Sequence, residues 1–198
     1  MNRIVLLSDG GIESLVTAGL ILVDAKHRAS PTNACTLGCP VNHSIETLEL
    51  DGARKECIRA QASLIDSEQL EFMACNASLL SVLARAIELA GPQGTIYWPV
   101  CCGEDAVFLE KTMDTMLGVV HLNTLITESK GPELLLPLID LDQAQIAEMA
   151  CELDAPVQSG WPCNASCRTP CVSCPSCIGW DSALSACGLT SGFASNRG

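Results

Sequence analysis

Residues 3–16 read RIVLLSDGGIESLV, an apolar run that passes through two glycines into a segment of helical periodicity. The run at 3–8 is typical of a buried strand. From Ile12 onward, apolar or small residues recur at the spacing of one helical face, namely Leu15, Val16, Gly19, Leu20 and Val23. A strand, a tight glycine turn and a helix form the unit from which parallel sheets are built, so the stretch predicts an α/β fold.

The same alternation of strand and helix continues along the chain. Strands are predicted at 44–50, 68–73, 95–100 and, less regularly, 119–126; helices are predicted at 53–65, at 76–90 with Asn76 as its cap, and at 104–117. Residues 26–43 contain two prolines and a glycine and are predicted to be a loop. The alternation favours a doubly wound, mostly parallel sheet, which binds ligands at the carboxyl ends of its strands where the strand order switches.

The last predicted helix of this α/β part has an explicit start signal. Asp142 precedes it, and Gln145 follows three residues later, which is the pattern of a capping box. We expect residues 1–160 to form a nucleotide-binding-type α/β part and residues 161–190 to form a metal-binding segment packed on it, in a single domain overall.

Composition narrows the range of functions. The chain has 198 residues and a net charge of −12, with 11 basic residues against 23 acidic ones. Binding to a phosphate backbone needs clustered Lys and Arg, so nucleic acid is not an expected partner. No apolar run approaches the ~20 residues of a membrane span, and no cleavage site follows the first apolar run, so we expect a cytoplasmic protein without a membrane partner.

Cysteine spacing near the carboxyl end predicts a metal site. Cys171, Cys174 and Cys177 form two overlapping C-x2-C pairs, and Cys163 or Cys167 supplies a fourth thiolate. Zinc prefers four such ligands in a tetrahedron, and four thiolates leave no open position, so the ion is expected to be structural. The bacterial ferredoxin pattern would need a cysteine where Asp181 stands, which disfavours an iron–sulfur cluster.

The glycine turn predicts an anion site. Gly10 and Gly11 let the backbone come close to a phosphate at the start of a helix, where the dipole favours negative charge. Glu13 is a candidate ligand for Mg²⁺, and Ser14 is a candidate hydrogen-bond donor. The alternative is an ordinary strand-to-helix turn that binds nothing, because many α/β proteins have glycines there.

The order of these motifs resembles the QueC family of 7-cyano-7-deazaguanine synthases, in the ATP pyrophosphatase superfamily. Residues 9–14, DGGIES, stand where the family has S-G-G-x-D-S, and 137–163, PLIDLDQAQIAEMACELDAPVQSGWPC, resemble its proline-leucine strand, K-A-E-I helix and W-S-C stretch. The stretches LELDGARK at 48–55 and CNASLL at 75–80 resemble its D-Y-G-Q-R-H and R-N motifs. The likeness is strong from 134 to 187 and loose from 24 to 70.

The resemblance implies a fold, ligands and a reaction. The fold is an adenine nucleotide α-hydrolase-like sheet with a C-terminal zinc knuckle, whose ligands are Cys163, Cys171, Cys174 and Cys177, so that Cys167 is extra. The reaction uses ATP with Mg²⁺ to adenylate the carboxylate of 7-carboxy-7-deazaguanine, which ammonia converts to an amide and a second activation to a nitrile. The implied nucleotide-binding residues are Ser8, Asp9, Gly10, Gly11, Glu13, Ser14 and Arg54, and the implied assembly is a homodimer.

Three departures from the family pattern keep a second function open. Asp9 replaces the first serine of the loop motif, Gln143 replaces the lysine of K-A-E-I, and Cys75 replaces the arginine of R-N. Like charges ~4 Å apart at an effective dielectric near 20 repel by about 4 kcal/mol, so Asp9 disfavours a phosphate. The alternative to an ATP-dependent ligase is therefore a zinc-stabilised relative that binds a nucleotide, a deazapurine or a protein without turnover.

The remaining candidates each have two interpretations. Arg54 and Lys55 are phosphate partners or solvated helix charges. Cys101 and Cys102 are substrate contacts or a buried strand end. Cys35 and Cys39 hold a second metal or form a redox pair, or they are free thiols in a loop, which we favour.

Overall fold

The computed structural model describes residues 3–28, 33–39, 52–74, 77–127, 130–164 and 169–190. In chain order its elements are β1 (Arg3–Ser8), α1 (Ile12–Arg28), β2 (Asn33–Gly38), α2 (Gly52–Leu64), β3 (Gln69–Phe72), α3 (Leu79–Ala90), β4 (Thr95–Tyr97), α4 (Ala106–Thr127), β5 (Glu133–Leu135), α5 (Gln143–Glu152), a 3-10 turn (Val157–Ser159) and α6 (Pro175–Ala186). Strands alternate with helices as far as α5, as the sequence predicts.

All strand pairs in the five-stranded sheet are parallel, and the strand order is β3-β2-β1-β4-β5. The chain therefore moves outward from β1 on one side and returns to the other side at β4. The switch in direction lies between β1 and β4, beside the glycine turn that follows Ser8. The predicted α/β fold with a doubly wound parallel sheet is confirmed.

The central strand is buried on both faces, which is why β1 has a continuous apolar run from Ile4 to Leu7 rather than an alternating pattern. Leu7 packs in one core with Leu83 of α3, and Leu6 packs in another with Ile21 of α1. Helices therefore cover both sides of the sheet, and the carboxyl edge is left to hold the site.

A third core joins the C-terminal segment to the rest of the fold. Ile12 of α1, Ile146 of α5, and Trp180 and Leu184 of α6 pack together and are buried. α5 begins with the predicted capping box, in which Asp142 Oδ1 accepts a hydrogen bond from the Gln145 amide at 2.8 Å. The Asp142 amide in turn donates to Gln145 Oε1 at 2.9 Å, so this prediction is confirmed.

The prediction of a loop over 26–43 is wrong in its middle. Residues 33–38 are β2, which pairs with β1 from Arg3↔Asn33 to Ser8↔Gly38. Its partner lies about thirty residues away, and the prolines and glycine around it are strong local loop signals, so short-range patterns favour the wrong state. The predicted strand at 44–50 lies outside the described residues.

Two helix boundaries and one strand also differ from prediction. α4 continues through Gly118 and contains the whole of 119–126, where β-branched and leucine residues suggested a strand; the strand that follows is instead β5. α3 is capped by Ser78, whose hydroxyl accepts from the Ser81 amide, and not by Asn76, which lies outside the described residues. Of the helices that the structure describes, none combines the length and apolarity that crossing a bilayer demands.

Candidate functional site

The structure brings together the four predicted metal ligands. The Sγ atoms of Cys163, Cys171, Cys174 and Cys177 all lie within 4.8 Å of one another, with Cys163–Cys171 at 3.5 Å and Cys163–Cys174 at 3.9 Å. A tetrahedral Zn²⁺ with sulfur ligands at ~2.3 Å has sulfur–sulfur edges of about 3.8 Å. The thiols are free of disulfides, so the cluster has the donor set and the spacing for one ion.

Backbone amides donate hydrogen bonds to three of the sulfur atoms in this cluster. The Cys171 amide donates to Cys163 Sγ at 3.4 Å, the Cys174 amide to Cys171 Sγ at 3.3 Å, and the Cys177 amide to Cys174 Sγ at 3.4 Å. Backbone hydrogen bonds from Ser173 and Cys174 lower the pKa of Cys171 to about 6. A thiolate that is stable near neutral pH is ready to bind a cation.

The pKa shifts of Cys174 and Cys177 follow from the balance between burial and hydrogen bonding. Burial opposes ionisation of Cys174, but backbone hydrogen bonds from Asn164 and Cys177 outweigh it and lower its pKa. Burial raises the pKa of Cys177. Cys174 is also the N-cap of α6, Pro175 is the first residue of that helix, and Cys177 lies in its first turn. Local helix signals therefore position both Cys174 and Cys177. Cys167, the alternative fourth ligand, lies outside the described residues.

The glycine turn follows β1 at the switch point of the sheet. Gly10 has a φ of +82°, and a Cβ there would lie 2.9 Å from the Arg54 carbonyl oxygen. A Cβ at Gly11 would lie 2.9 Å from both Asp9 Oδ1 and Glu13 Oε2. Gly10 is therefore required by its backbone conformation, whereas a side chain at Gly11 would have to displace the ends of two carboxyl groups.

Asp9 places its carboxylate inside the turn. Only 6 % of the residue is exposed, and its Oδ1 accepts hydrogen bonds from the Gly11 amide at 2.8 Å and from Ser14 Oγ at 2.9 Å. These are donors that the sequence assigns to a phosphate. In this structure they serve a carboxylate that belongs to the turn itself.

Ser8 supports the turn from below. Its buried hydroxyl donates to Gln61 Oε1 at 2.6 Å and accepts from the Gly10 amide at 3.2 Å. The Gln61 side-chain amide then donates to the Gly11 carbonyl oxygen at 3.0 Å. Gln61 of α2 is thus a site residue that sequence reasoning placed only on a buried helix face, since nothing in its spacing links it to the turn.

Glu13 lies in the first turn of α1 and is partly exposed. Burial, and then the negative charge of Asp9, raise the pKa of Glu13 to about 7. The Glu13 carboxyl group is therefore poised between its neutral and charged forms near neutral pH. A divalent cation would favour the charged form, as the predicted Mg²⁺ role requires.

Arg54 is not a solvated helix charge, and that interpretation is wrong. It is 3 % exposed, and its Nη1 donates to the Asp9 carbonyl oxygen at 3.2 Å and lies 3.7 Å from Asp9 Oδ2. Its Nη2 donates to the Cys163 carbonyl oxygen. The guanidinium therefore links the turn to the cysteine cluster. Any contact of Arg54 with a phosphate stays a prediction.

A crevice at the carboxyl end of β4 completes the site. It has a volume of about 570 Å³ and is lined by Cys101, Cys102, Gly103, Asp142, Gln143, Ala144, Gly179, Ser182, Ala183 and Ala186. Gln143 stands where the family has lysine, and its Oε1 packs so closely on α6 that a Cβ at Gly179 would lie 2.1 Å away. Gln143 is thus held against α6, where glycine makes room for it. Cys75 lies outside the described residues.

The two cysteine pairs outside the cluster differ in setting. Cys101 Sγ donates to the Leu141 carbonyl oxygen at 2.8 Å, and burial followed by Glu13 raises its thiol pKa to about 12. Cys102 is buried, but β4 ends at Tyr97, so neither cysteine of this pair is a strand end. Cys35 and Cys39 are buried free thiols, but Cys35 lies within β2 and not in a loop. In the described part of the chain, the only cluster with metal-binding geometry is that around Cys163.

Comparison with protein families decides the relationship. The model of the family described as "Queuosine biosynthesis protein QueC" matches residues 74–188, more than half of the 198 residues. The chain belongs to the QueC family. The match covers the strand and helix that precede the crevice, the capping-box helix and all four clustered cysteines, which agrees with the stretch where the sequence resemblance is strongest.

Individual relatives match this QueC-family chain over a shorter stretch. Two proteins named 7-cyano-7-deazaguanine synthase, from Parasynechococcus marenigrum (strain WH8102) and Synechococcus sp. (strain CC9311), are each 41 % identical over 61 residues. That stretch is 31 % of this chain and 27 % of each relative. The match thus spans about a quarter of the length of the curated relatives.

Among solved structures, the chain is similar to the U34-tRNA thiolase NcsA from Methanococcus maripaludis, described with its [4Fe-4S] cluster. The TM-score is 0.45 at 16 % identity, over 93 % of this chain and 64 % of the other.

Proposed function

We propose that this QueC-family chain is an ATP-dependent carbon–nitrogen ligase that activates the carboxylate of a 7-deazaguanine acid. The observation that carries the proposal is the position of the glycine turn. The turn lies at the switch point between β1 and β4, where doubly wound sheets bind their ligands. In the proposed reaction, a carboxylate oxygen of the substrate attacks the α-phosphorus of ATP, pyrophosphate leaves, and ammonia displaces AMP to give an amide.

The roles of the chain's own groups follow from this placement. Adenylation needs the two reactants held in line and the charge on the departing pyrophosphate neutralised. Ser14, the Gly11 amide and the first turn of α1 would face the phosphates once Asp9 gives up its hydrogen bonds. Glu13, in its charged form, would help to hold the Mg²⁺ that accompanies ATP. The crevice lined by Cys101 and Asp142 would take the deazapurine.

The metal proposed for the cysteine cluster is a structural Zn²⁺. Cys163, Cys171, Cys174 and Cys177 would hold it, and the ion would cross-link the C-terminal segment. Sulfur atoms within 4.8 Å of one another favour a single ion, because a four-iron cluster holds its cysteine sulfurs outside a larger cage. With four thiolates and no open position, the proposed ion takes no part in chemistry.

A second candidate function is binding without turnover, and the contacts of Asp9 favour it. The Asp9 carboxylate already accepts from the Gly11 amide and Ser14 Oγ. A phosphate would have to displace it and tolerate its charge. Gln143 supplies no cation to the departing phosphates. In this alternative, the chain binds a deazapurine or nucleotide in the crevice and releases it unchanged.

Product analysis separates the two functions. Metal-replete protein is incubated with ATP, Mg²⁺, 7-carboxy-7-deazaguanine and ammonium, and AMP, pyrophosphate and the amide or nitrile are measured. The ligase predicts AMP formation that depends on the deazaguanine acid. Calorimetric binding of that acid with no AMP, even at millimolar ATP, would instead establish the second function.

The proposal also includes a cytoplasmic location and small-molecule partners. The homodimer that the resemblance implies stays a prediction, as does the absence of a nucleic-acid partner. The division at residue 160 is also a prediction, although the shared core of α1, α5 and α6 fits a single domain overall.

A further inference from the structure

The cysteine cluster and the glycine turn are joined by backbone pairing. The Trp161 amide donates to the Gly10 carbonyl oxygen at 2.8 Å, and Gly11 and Trp161 form a parallel bridge. Trp161 lies only two residues before the metal ligand Cys163. The segment that precedes Cys163 therefore also pairs with the backbone of the glycine turn.

Arg54 makes a second connection through its side chain. One nitrogen of the guanidinium donates to the Asp9 carbonyl oxygen, and the other donates to the Cys163 carbonyl oxygen. Only a forked donor with two separately directed nitrogens can bind both carbonyls at once. The ammonium of a lysine is a point charge on a single stem and cannot reproduce this geometry.

The helix that carries Arg54 is built into the same contact. Cys57, one helical turn further along α2, packs in a buried cluster with Trp161, Cys163 and Cys177. Gln61, one turn further again, donates to the Gly11 carbonyl oxygen. One face of α2 therefore touches the metal ligands and the turn together, and Arg54 is the charged group between them.

We propose that Arg54 is a positioning residue that couples metal binding to the conformation of the glycine turn. A metal ion fixes Cys163, the Cys163 carbonyl fixes one side of the guanidinium, and the other side fixes Asp9 and the turn. Loss of the ion releases Cys163, so the turn loses the support that Arg54 provides. The coupling is independent of whether the chain turns over ATP.

The test is hydrogen exchange of residues 8–14, followed by mass spectrometry. Wild-type protein is compared as purified, after chelation of its metal, and after Zn²⁺ alone is restored. Exchange in the turn should rise on the order of tenfold or more on chelation and recover with Zn²⁺, while 95–97 in β4 stay protected. A turn that stays protected without metal, or a loss of protection that is uniform across the sheet, would overturn the proposal.

Arg54→Lys tests which residue carries the coupling. This variant should keep a full complement of metal, yet its turn should exchange as in the metal-free wild type, and chelation should add less than about a twofold change. The matched control is Arg59→Lys, because Arg59 lies on the same helix but is exposed and bonds Glu56. If both variants respond to chelation as wild type does, Arg54 does not carry the coupling. The wild-type comparison needs no variant, so it decides whether the turn is coupled to the metal even if Arg54→Lys does not fold.

Discussion

The cysteine cluster and the glycine turn lie side by side, but they relate differently to the family pattern. The cluster keeps all four sulfur ligands, and the structure brings them within bonding distance of a single ion. The turn keeps its glycines but carries Asp9, whose carboxylate takes the donors of Gly11 and Ser14. The proposed metal site therefore has its full set of donors, whereas the donors of the proposed phosphate site are occupied by Asp9.

This difference indicates that the two sites are under different physical constraints. A metal ligand is needed for folding free energy, because a structural site scarcely exists in the unfolded chain. The first residue of the turn contributes less, through the hydrogen bonds of Asp9 within the turn and its contact with Arg54. Stability therefore constrains the cluster more tightly than the turn.

The largest expected effect is at the cluster. Cys174→Ser removes one metal ligand and replaces the sulfur cap of α6, so we expect loss of stoichiometric metal and unfolding or aggregation of the C-terminal third. Elemental analysis and circular dichroism measure the two effects. Cys151→Ser is the control, because Cys151 is exposed and lies outside the cluster. A Cys174→Ser protein with full metal content and wild-type Tm would contradict the conclusion that stability depends more on the cysteine cluster than on the glycine turn.

A smaller effect is expected at the turn. Asp9→Ser removes a negative charge and frees the Gly11 amide and the Ser14 hydroxyl. The affinity for ATP with Mg²⁺ should rise on the order of tenfold or more, in line with the repulsion between like charges at close range. Calorimetric titration measures the affinity, with Asp114→Ser, an exposed acidic residue of α4, as the control. Unchanged or weaker binding would mean that Asp9 does not keep phosphate out of the turn.

The pH dependence of stability is the third test. The pKa of Glu13 is raised from 4.5 to about 7 by burial and by Asp9, so the folded protein binds this proton more tightly than the unfolded chain does. The resulting stabilisation is complete below pH 4.5 and is lost as the pH rises to about 7. The Tm difference between wild type and Glu13→Gln should therefore fall by a few degrees across that window and stay flat above it.

Wild type and Glu13→Gln differ only at residue 13, so the contributions of the other ionisable groups largely cancel in the difference between their Tm values. That difference therefore reports the titration of Glu13. A difference in Tm that is constant from pH 4.5 to 7 would contradict the raised pKa. In the Asp9→Ser background, the pH range over which this Tm difference falls should be narrower. The reason is that one of the two causes that raise the pKa of Glu13 is then gone.

The smallest effect is expected at Asp142, which lines the crevice but has a complete structural role in the capping box. Asp142→Ala should cost about 1 kcal/mol of unfolding free energy, and Asp142→Asn much less, since asparagine caps helices well. Chemical denaturation measures both. The affinity for the 7-deazaguanine acid should be the same in the Asn variant and in wild type; a large change would give Asp142 a binding role in the crevice beside its capping role.

Much of the site was accessible from sequence because its signals are local. Cys171, Cys174 and Cys177 are separated by fixed short spacings, and the capping box of Asp142 and Gln145 spans four residues. Such short-range patterns can be recognised without knowledge of the tertiary structure. The same holds for the strand, glycine turn and helix at the start of the chain.

What could not be predicted depends on contacts between distant residues. β2 forms because its backbone pairs with β1, which lies about thirty residues earlier in the sequence. This pairing outweighs the loop signals on either side of β2. The role of Arg54 depends on Cys163, more than a hundred residues further along. No spacing rule reveals that an arginine on a polar helix will be buried between two carbonyl groups.

The hydrogen bond from Trp161 to Gly10 has a consequence for synthesis. Trp161 follows the glycine turn by well over a hundred residues, so the ribosome makes the turn long before the partner that closes it. Until then the amino-terminal strands can pair while the turn stays open. The nascent chain therefore completes the glycine turn only after Trp161 has been made.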